Sequence, residues 1–268
     1  MNMELDGKVV VITGASTGFG RGIADRMAAE GARVVIGDLR EEANPDGFDE
    51  KPELTTVELV ESKGGQAAFA RCDVTKRADM ADLIATAVER FSRLDVMVNN
   101  AGIYRGGKLL HEFDEADLDL CFDVNVRGSF LGAQEAIKVF LKQRDGGNII
   151  NLVSTAGLQG HPRQSVYNIS KGAQANLTRC LAIEYGRDGI RVNGICPTYA
   201  KTALTRAFAD DMDFDSMFIE SIPLKCWGAV PDIADLAVFL GFRTLELHPR
   251  RAGAHRRRGN PLPLFRLI

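Results

Sequence analysis

The chain of 268 residues suits one large domain or two small ones, and an apolar share of 45% supports a full core. Its 27 glycines and few aromatic side chains suit an α/β protein. A net charge of −3 excludes an overall electrostatic drive toward nucleic acid or an anionic membrane, and neither is expected as a partner.

Short apolar runs alternate with longer helical patterns. A β-branched run at 8–13 is followed by a helix at 21–30, which ends at Gly31. Strand 33–37 precedes helix 57–63, which stops at Gly64-Gly65, and strand 67–72 precedes helix 78–91. Strand 96–99 leads into a helical stretch at 114–127 that continues through 130–142. Strand 147–153, helix 166–185 and strand 190–195 complete the series. Strands this short and apolar are buried on both faces, and their alternation with helices predicts a single-domain, doubly wound parallel α/β sheet. The polar stretch 41–55, with Asn44-Pro45-Asp46-Gly47 and Lys51-Pro52, reads as a turn-rich solvated loop; shaping the adenine edge of a nucleotide site is the alternative.

Cys72, Cys121, Cys180, Cys196 and Cys226 are odd in number and form no C-x-x-C pair. They read as reduced, mostly buried thiols of a cytoplasmic protein. No two of His111, His161, His248 and His255 have metal-ligand spacing, so no metal is expected. The first strand begins within about eight residues of the N-terminus, so no signal peptide is expected. No apolar run approaches the roughly 20 residues of a membrane span.

Thr13-Gly14-Ala15-Ser16-Thr17-Gly18-Phe19-Gly20 follows the first strand and opens the first helix. Glycines there allow a tight turn and let backbone N–H groups approach a pyrophosphate. No Lys-Ser/Thr pair follows them, which disfavours an ATP-type loop. Asp38 ends the second strand; a carboxylate there accepts from both adenosine ribose hydroxyls and repels a 2′-phosphate. Thr17 and Leu39 are uncharged where a phosphate reader would carry Arg or Lys, so NAD is favoured, with Arg40 keeping NADP as the lesser alternative.

Tyr167 and Lys171 are four residues apart on an expected helix, which puts phenol and ammonium on one face. A neighbouring cation favours the phenolate, so Lys171 is expected to lower the Tyr167 pKa from its ordinary value of about 10. Ser154 is placed to hold a carbonyl or hydroxyl oxygen beside them.

Asn99-Asn100-Ala101-Gly102 follows the fourth strand, and Asn125 opens Asn125-Val126-Arg127-Gly128. Together with the glycine turn, Ser154, Tyr167 and Lys171, these residues resemble the short-chain dehydrogenase/reductase family in its NAD-preferring form, from about residue 5 to about 240. The resemblance implies a Rossmann-like fold and a catalytic set of Asn125, Ser154, Tyr167 and Lys171. Tyr167 would exchange the proton, Lys171 would hold the nicotinamide ribose, and Ser154 would orient the substrate oxygen. Asn125 would hold a water linking Lys171 to solvent. For the cofactor it implies Gly14, Ser16, Thr17, Gly18, Phe19 and Gly20 at the pyrophosphate turn, and Asp38 and Leu39 at the ribose. Asp73 and Val74 would border the adenine, while Asn99, Ala101 and Gly102 would support the sheet and ribose. Pro197, Thr198 and Thr202 would flank the carboxamide, where Thr198 replaces the glycine usual after this proline.

The implied reaction is hydride transfer between NAD and a small-molecule secondary alcohol or ketone. The alternatives are a non-catalytic dinucleotide-binding or regulatory protein on the same fold, against which the intact Ser154, Tyr167 and Lys171 argue, and an enzyme impaired by an altered C-terminus. The substrate cover is expected at 203–227, with Phe208, Met212, Phe214, Met217, Phe218 and Trp227 as an apolar lining and Asp210, Asp211, Asp213 and Asp215 outside. Thr155, Leu158, Gln159, His161 and Gln164 are further candidates for the pocket border. Beyond about residue 240 the resemblance stops, where the family has a seventh strand often reading like Y-I-T-G-Q-x-L-x-V-D-G-G. Allowed codons for residues 245–259, read one nucleotide later, permit S-S-Y-I-P-G-G-Q-V-L-T-V-D-G-G. Residues 241–268 are therefore expected to be an out-of-frame tail, through natural mutation or sequence error, with the seventh strand lost or altered. The family's usual homo-oligomer, tetramer or dimer, would then be weakened.

Overall fold

The computed structural model describes residues 3–206, 219–220 and 222–241. Six strands, β1 (Val9–Thr13), β2 (Arg33–Asp38), β3 (Gln66–Arg71), β4 (Val96–Asn99), β5 (Gly147–Leu152) and β6 (Ile190–Ile195), form one sheet ordered β3-β2-β1-β4-β5-β6. Every pairing is parallel; Val10 of β1 sits opposite Val34 of β2 and Val96 of β4. Among the described residues the named α-helices are α1 (Gly18–Ala29), α2 (Thr56–Ser62), α3 (Arg77–Phe91), α4 (Glu115–Cys121), α5 (Gly128–Gln143), α6 (Ser165–Tyr185) and α7 (Val230–Gly241).

The strands' near-continuous apolar sequence follows from burial on both faces. Val10, Ile12, Val34 and Ile36 pack with Ile23 and Met27 of α1 and Val238 of α7. Val9, Val11 and Val35 point the other way, onto Leu83 of α3 and Phe140 of α5. Strand order reverses between β1 and β4, so the carboxyl ends of these two strands open the crevice where this architecture binds its ligands.

The expected elements form, with two differences in their bounds, and α7 is added, which the sequence reading did not include. α1 begins at Gly18 instead of residue 21, because the second half of the glycine turn is already its first helical turn. The stretch expected as continuous helix is broken by a π-turn, Phe122–Arg127, between α4 and α5. Such a turn carries one extra residue and is a frequent mark of a functional site. Only Cys72 and Cys121 of the five cysteines are buried; Cys180 and Cys226 are exposed. Among the described residues no helix is long and apolar enough to cross a membrane. The cover residues Phe208, Met212, Phe214, Met217 and Phe218, the aspartates beside them, and the tail after Gly241 lie outside the described residues.

α5 packs on β4 through Gly132. A Cβ at that position would stand 2.1 Å from Asn99 Oδ1 and 2.7 Å from Met97 Cε. Gly132→Ala should gain about 1 kcal/mol of helix propensity but lose about 1–3 kcal/mol to overpacking. Asn99 is held by Asn151, so it cannot yield easily. Thermal or urea denaturation of the variant should therefore show a net loss of stability.

Candidate active site

The carboxyl ends of β1, β2, β4, β5 and β6 converge on a cavity of about 370 Å³. Gly14 turns the chain with φ of +63°, and a Cβ on Gly20 would lie 2.2 Å from Gly14 O. Both positions therefore need glycine. Asn100, unassigned by the sequence reading, locks this turn: its Nδ2 donates to Thr13 O at 2.9 Å and to Gly14 O at 2.8 Å. Gly14, Thr17, Gly18 and Phe19 line the cavity. Gly20 and Ser16 stand behind the lining. Ser16 N–H donates to Asp38 Oδ2 at 3.0 Å and its hydroxyl to Arg40 O at 2.7 Å. The loop 41–55 is not simply solvated, as expected, for Asp49 reaches the N-terminus of α1.

Asp38 and Leu39 line the cavity with Asp73 and Val74. Burial raises the Asp38 pKa, opposed by hydrogen bonds from the Ser16 and Leu39 N–H groups. Asp73 is lowered, chiefly by the Thr75 hydroxyl. Val74 packs against Gly128 at the end of the π-turn, where an added Cβ would meet its Cγ2 at 2.9 Å.

Ser154, Tyr167 and Lys171 share the opposite wall. Ser154 caps the turn Thr155–Gly157, accepting from Ala156 N–H at 3.1 Å, and its hydroxyl acts to lower the Tyr167 pKa. Lys171 Nζ lies 5.8 Å from the Tyr167 ring centre. The expected lowering of the phenol pKa does not hold: burial pushes it up to about 12, outweighing the Ser154 hydroxyl. The same burial pulls Lys171 down to about 7, so the cation meant to activate Tyr167 is itself penalised.

Lys171 donates to Leu152 O at 2.8 Å and to Gln174 Oε1 at 2.9 Å. Gln174 Nε2 donates to Ser129 Oγ at 2.6 Å, and Ser129 donates to Asn125 O at 2.9 Å. Gln174 and Ser129 were missed in the sequence, although a polar residue three positions after Lys171 on one helix face was a usable signal. Asn125 is wholly buried in the π-turn. Its side chain accepts from Ile103 N–H at 2.8 Å and donates to Ile103 O and Ser170 Oγ, each at 3.0 Å. Asn125 and Lys171 flank Gly102, where an added Cβ would lie 3.2 Å from Asn125 Oδ1 and 3.4 Å from Lys171 Nζ. Ala101 and Gly102 line the cavity, while Asn99 stays in the core, donating to Asn151 at 2.8 Å.

Pro197, Thr198 and Thr202 line the cavity beyond β6, as do Thr155, His161 and Gln164; Leu158 and Gln159 do not border it. Two tyrosines that the sequence did not single out form part of the wall. The Tyr104 ring stands edge-on to Tyr167 at 5.2 Å, and Tyr199 packs edge-on against Trp227 at 6.1 Å. Among the described residues no cluster of His, Cys, Asp and Glu could hold a metal ion.

The family model for short chain dehydrogenases matches residues 8–213. An oxidoreductase of Thermotoga maritima is 40% identical over 241 residues, covering 88% of this chain and 91% of its own. Glucose 1-dehydrogenase 2 of Bacillus subtilis is 35% identical over 242 residues, 90% of either chain. The crystal structure of a gluconate 5-dehydrogenase from Burkholderia cenocepacia, in complex with NADP and tartrate, has a TM-score of 0.81 at 32% identity and 90% coverage of each chain. With its parallel sheet, glycine turn and Ser-Tyr-Lys wall, the chain belongs to the short-chain dehydrogenase/reductase family.

Proposed function

We propose that the chain is an NAD(H)-dependent oxidoreductase interconverting a secondary alcohol and a ketone. The observation that carries this reading is the convergence of Ser154, Tyr167 and Lys171 on one wall of a cavity whose other end is the glycine turn and Asp38. The residues fit a dinucleotide: a helix N-terminus without a side-chain cap from its own N-cap residue for the pyrophosphate, a carboxylate at the end of β2 for the ribose, and Lys171 on the cavity wall for the second ribose. A bound nicotinamide supplies or accepts the hydride. Tyr167 gives its proton to the carbonyl oxygen in reduction and takes one from the hydroxyl in oxidation. Its high pKa keeps it protonated at neutral pH, which suits the reductive direction. Ser154 holds the reacting oxygen, and Lys171, backed by Gln174 and Asn125, fixes the phenol's surroundings.

Asp38 supports NAD over NADP through repulsion of a 2′-phosphate. Tyr104 and Tyr199 on the cavity wall favour a ring-bearing or otherwise hydrophobic substrate. Exposed apolar side chains on α5 and α6, Phe130 and Ile183, suit association into a homo-oligomer.

Three outcomes are expected. Tyr167→Phe should lower kcat by about 10²–10⁴-fold across a panel of secondary alcohols and sugars, followed by NADH absorbance; equal turnover would remove Tyr167 from the mechanism. Asp38→Ala should shrink the preference for NAD over NADP by about tenfold, about 1.4 kcal/mol, in paired Kd measurements; an unchanged ratio would rule out Asp38 as the discriminator.

The third concerns Lys171. Its pKa is about 7 in the fold against an ordinary 10.5, so between these values the unfolded chain holds a proton that the folded chain has released. The destabilisation by a buried ammonium is complete below about pH 7 and fades as pH rises toward 10.5. Lys171→Met should therefore gain most in Tm over the wild type near pH 6, and progressively less toward pH 10. A difference independent of pH would show that burial does not perturb Lys171.

A further inference from the structure

The N-termini of α1 and α2 are closed in different ways. α2 closes its own: Thr55 Oγ1 accepts from Glu58 N–H at 3.1 Å, and the Glu58 carboxylate accepts from Thr55 N–H at 2.8 Å. α1 has no acidic residue in its first turn, and its N-cap Thr17 makes no side-chain cap. Its leading N–H groups are left for an acceptor from elsewhere. That acceptor is Asp49, whose two carboxylate oxygens lie 2.9 Å and 3.2 Å from Gly18 N. The Thr17 hydroxyl donates to the same carboxylate. A negative group is thus seated on the turn that a dinucleotide's pyrophosphate would use.

The segment bearing Asp49 is tethered on both sides. Buried Arg21 donates to Lys51 O at 2.9 Å and to Thr56 Oγ1 at 3.3 Å, which anchors the chain just after Asp49. Arg206 donates to Asp46 O at 3.0 Å and to Gly47 O at 3.4 Å, and its guanidinium carbon lies 4.0 Å from the Phe48 ring centre. Arg206 directly follows the Ala203–Thr205 turn on the cavity wall. Residues 46–49 therefore bridge the glycine turn and the start of the region expected to cover the substrate.

We propose that Asp49 is an internal stand-in for the pyrophosphate, and that displacing it with its segment 46–49 sets the affinity of the chain for dinucleotides. The proposal rests on the dinucleotide reading given above. Two anions cannot share the Gly18 N–H, so a pyrophosphate ligand must break the Asp49 contacts before making its own. A ligand without phosphate has no such requirement.

Calorimetric titration of the wild type, Asp49→Ala and Arg206→Gln with ADP-ribose and with adenosine tests this, with Tm confirming that each variant is folded. Asp49→Ala should bind ADP-ribose about tenfold more tightly, with adenosine affinity unchanged. Arg206→Gln, which loosens the far tether, should shift ADP-ribose in the same direction and carries the test if Asp49→Ala does not fold. Unchanged or weaker ADP-ribose binding in the folded variants would overturn the proposal alone. So would an equal gain for adenosine, which would make the segment a steric cover only. Binding of ADP-ribose by none of the three proteins would overturn the dinucleotide reading with it.

Discussion

A wholly buried ammonium must be solvated by the protein itself, and the architecture around Lys171 follows from that constraint. Its hydrogen bonds reach the carboxyl end of β5 through Leu152 O and the next turn of α6 through Gln174. Gln174, itself buried, can sit there only if its amide N–H group is accepted elsewhere, which Ser129 of α5 does. Ser129 in turn bonds Asn125 O in the π-turn, and the Asn125 side chain bonds back to Ser170 on α6. One desolvated charge thereby ties a strand, two helices and the irregular turn between α4 and α5 into a single polar lattice.

The parallel sheet supplies the second ordering principle. Because every strand runs the same way, all carboxyl ends lie on one edge, and the polar residues that follow them gather there without long-range design. The reversal of strand order between β1 and β4 opens a crevice that Gly14 and Ala101 both line. Asn100 and Thr13 close the backbone beneath it. The first helix has no side-chain cap from its own N-cap residue, whereas α2, away from that crevice, carries its own capping box. Where a helix is not capped by its own sequence, an outside anion completes it, and Asp49 holds that place here.

Burial also decides the electrostatics of the Ser-Tyr-Lys wall. At the level of spacing, a lysine one turn from a tyrosine favours the phenolate. In the folded chain desolvation acts on both groups and dominates: the phenol rises to about 12 and the ammonium falls to about 7. Proximity sets the sign of a Coulomb interaction, but burial changes the reference state of both partners.

The six strands, the helices between them and much of the cavity wall were legible in the sequence; the last helix, α7, was not read there. Apolar period and glycine punctuation are local properties, and the motif residues keep fixed offsets from strand ends. Asp38, Ser154, Tyr167 and Lys171 stood out by such offsets, and the family resemblance supplied their roles. The π-turn was not legible, because one extra residue in a turn leaves no mark on a hydrophobic pattern. Gln174, Ser129, Asn100, Tyr104 and Tyr199 gain their places from contacts between elements far apart in the chain. Asp49 read as part of a solvated loop because nothing in its neighbourhood signals that its carboxylate lands on Gly18. The sequence by itself determined the fold, the sheet edge and the residue types gathered there. Only the tertiary structure decided which groups are desolvated and which distant residues satisfy them, because burial and long-range hydrogen bonding exist only once the elements have packed.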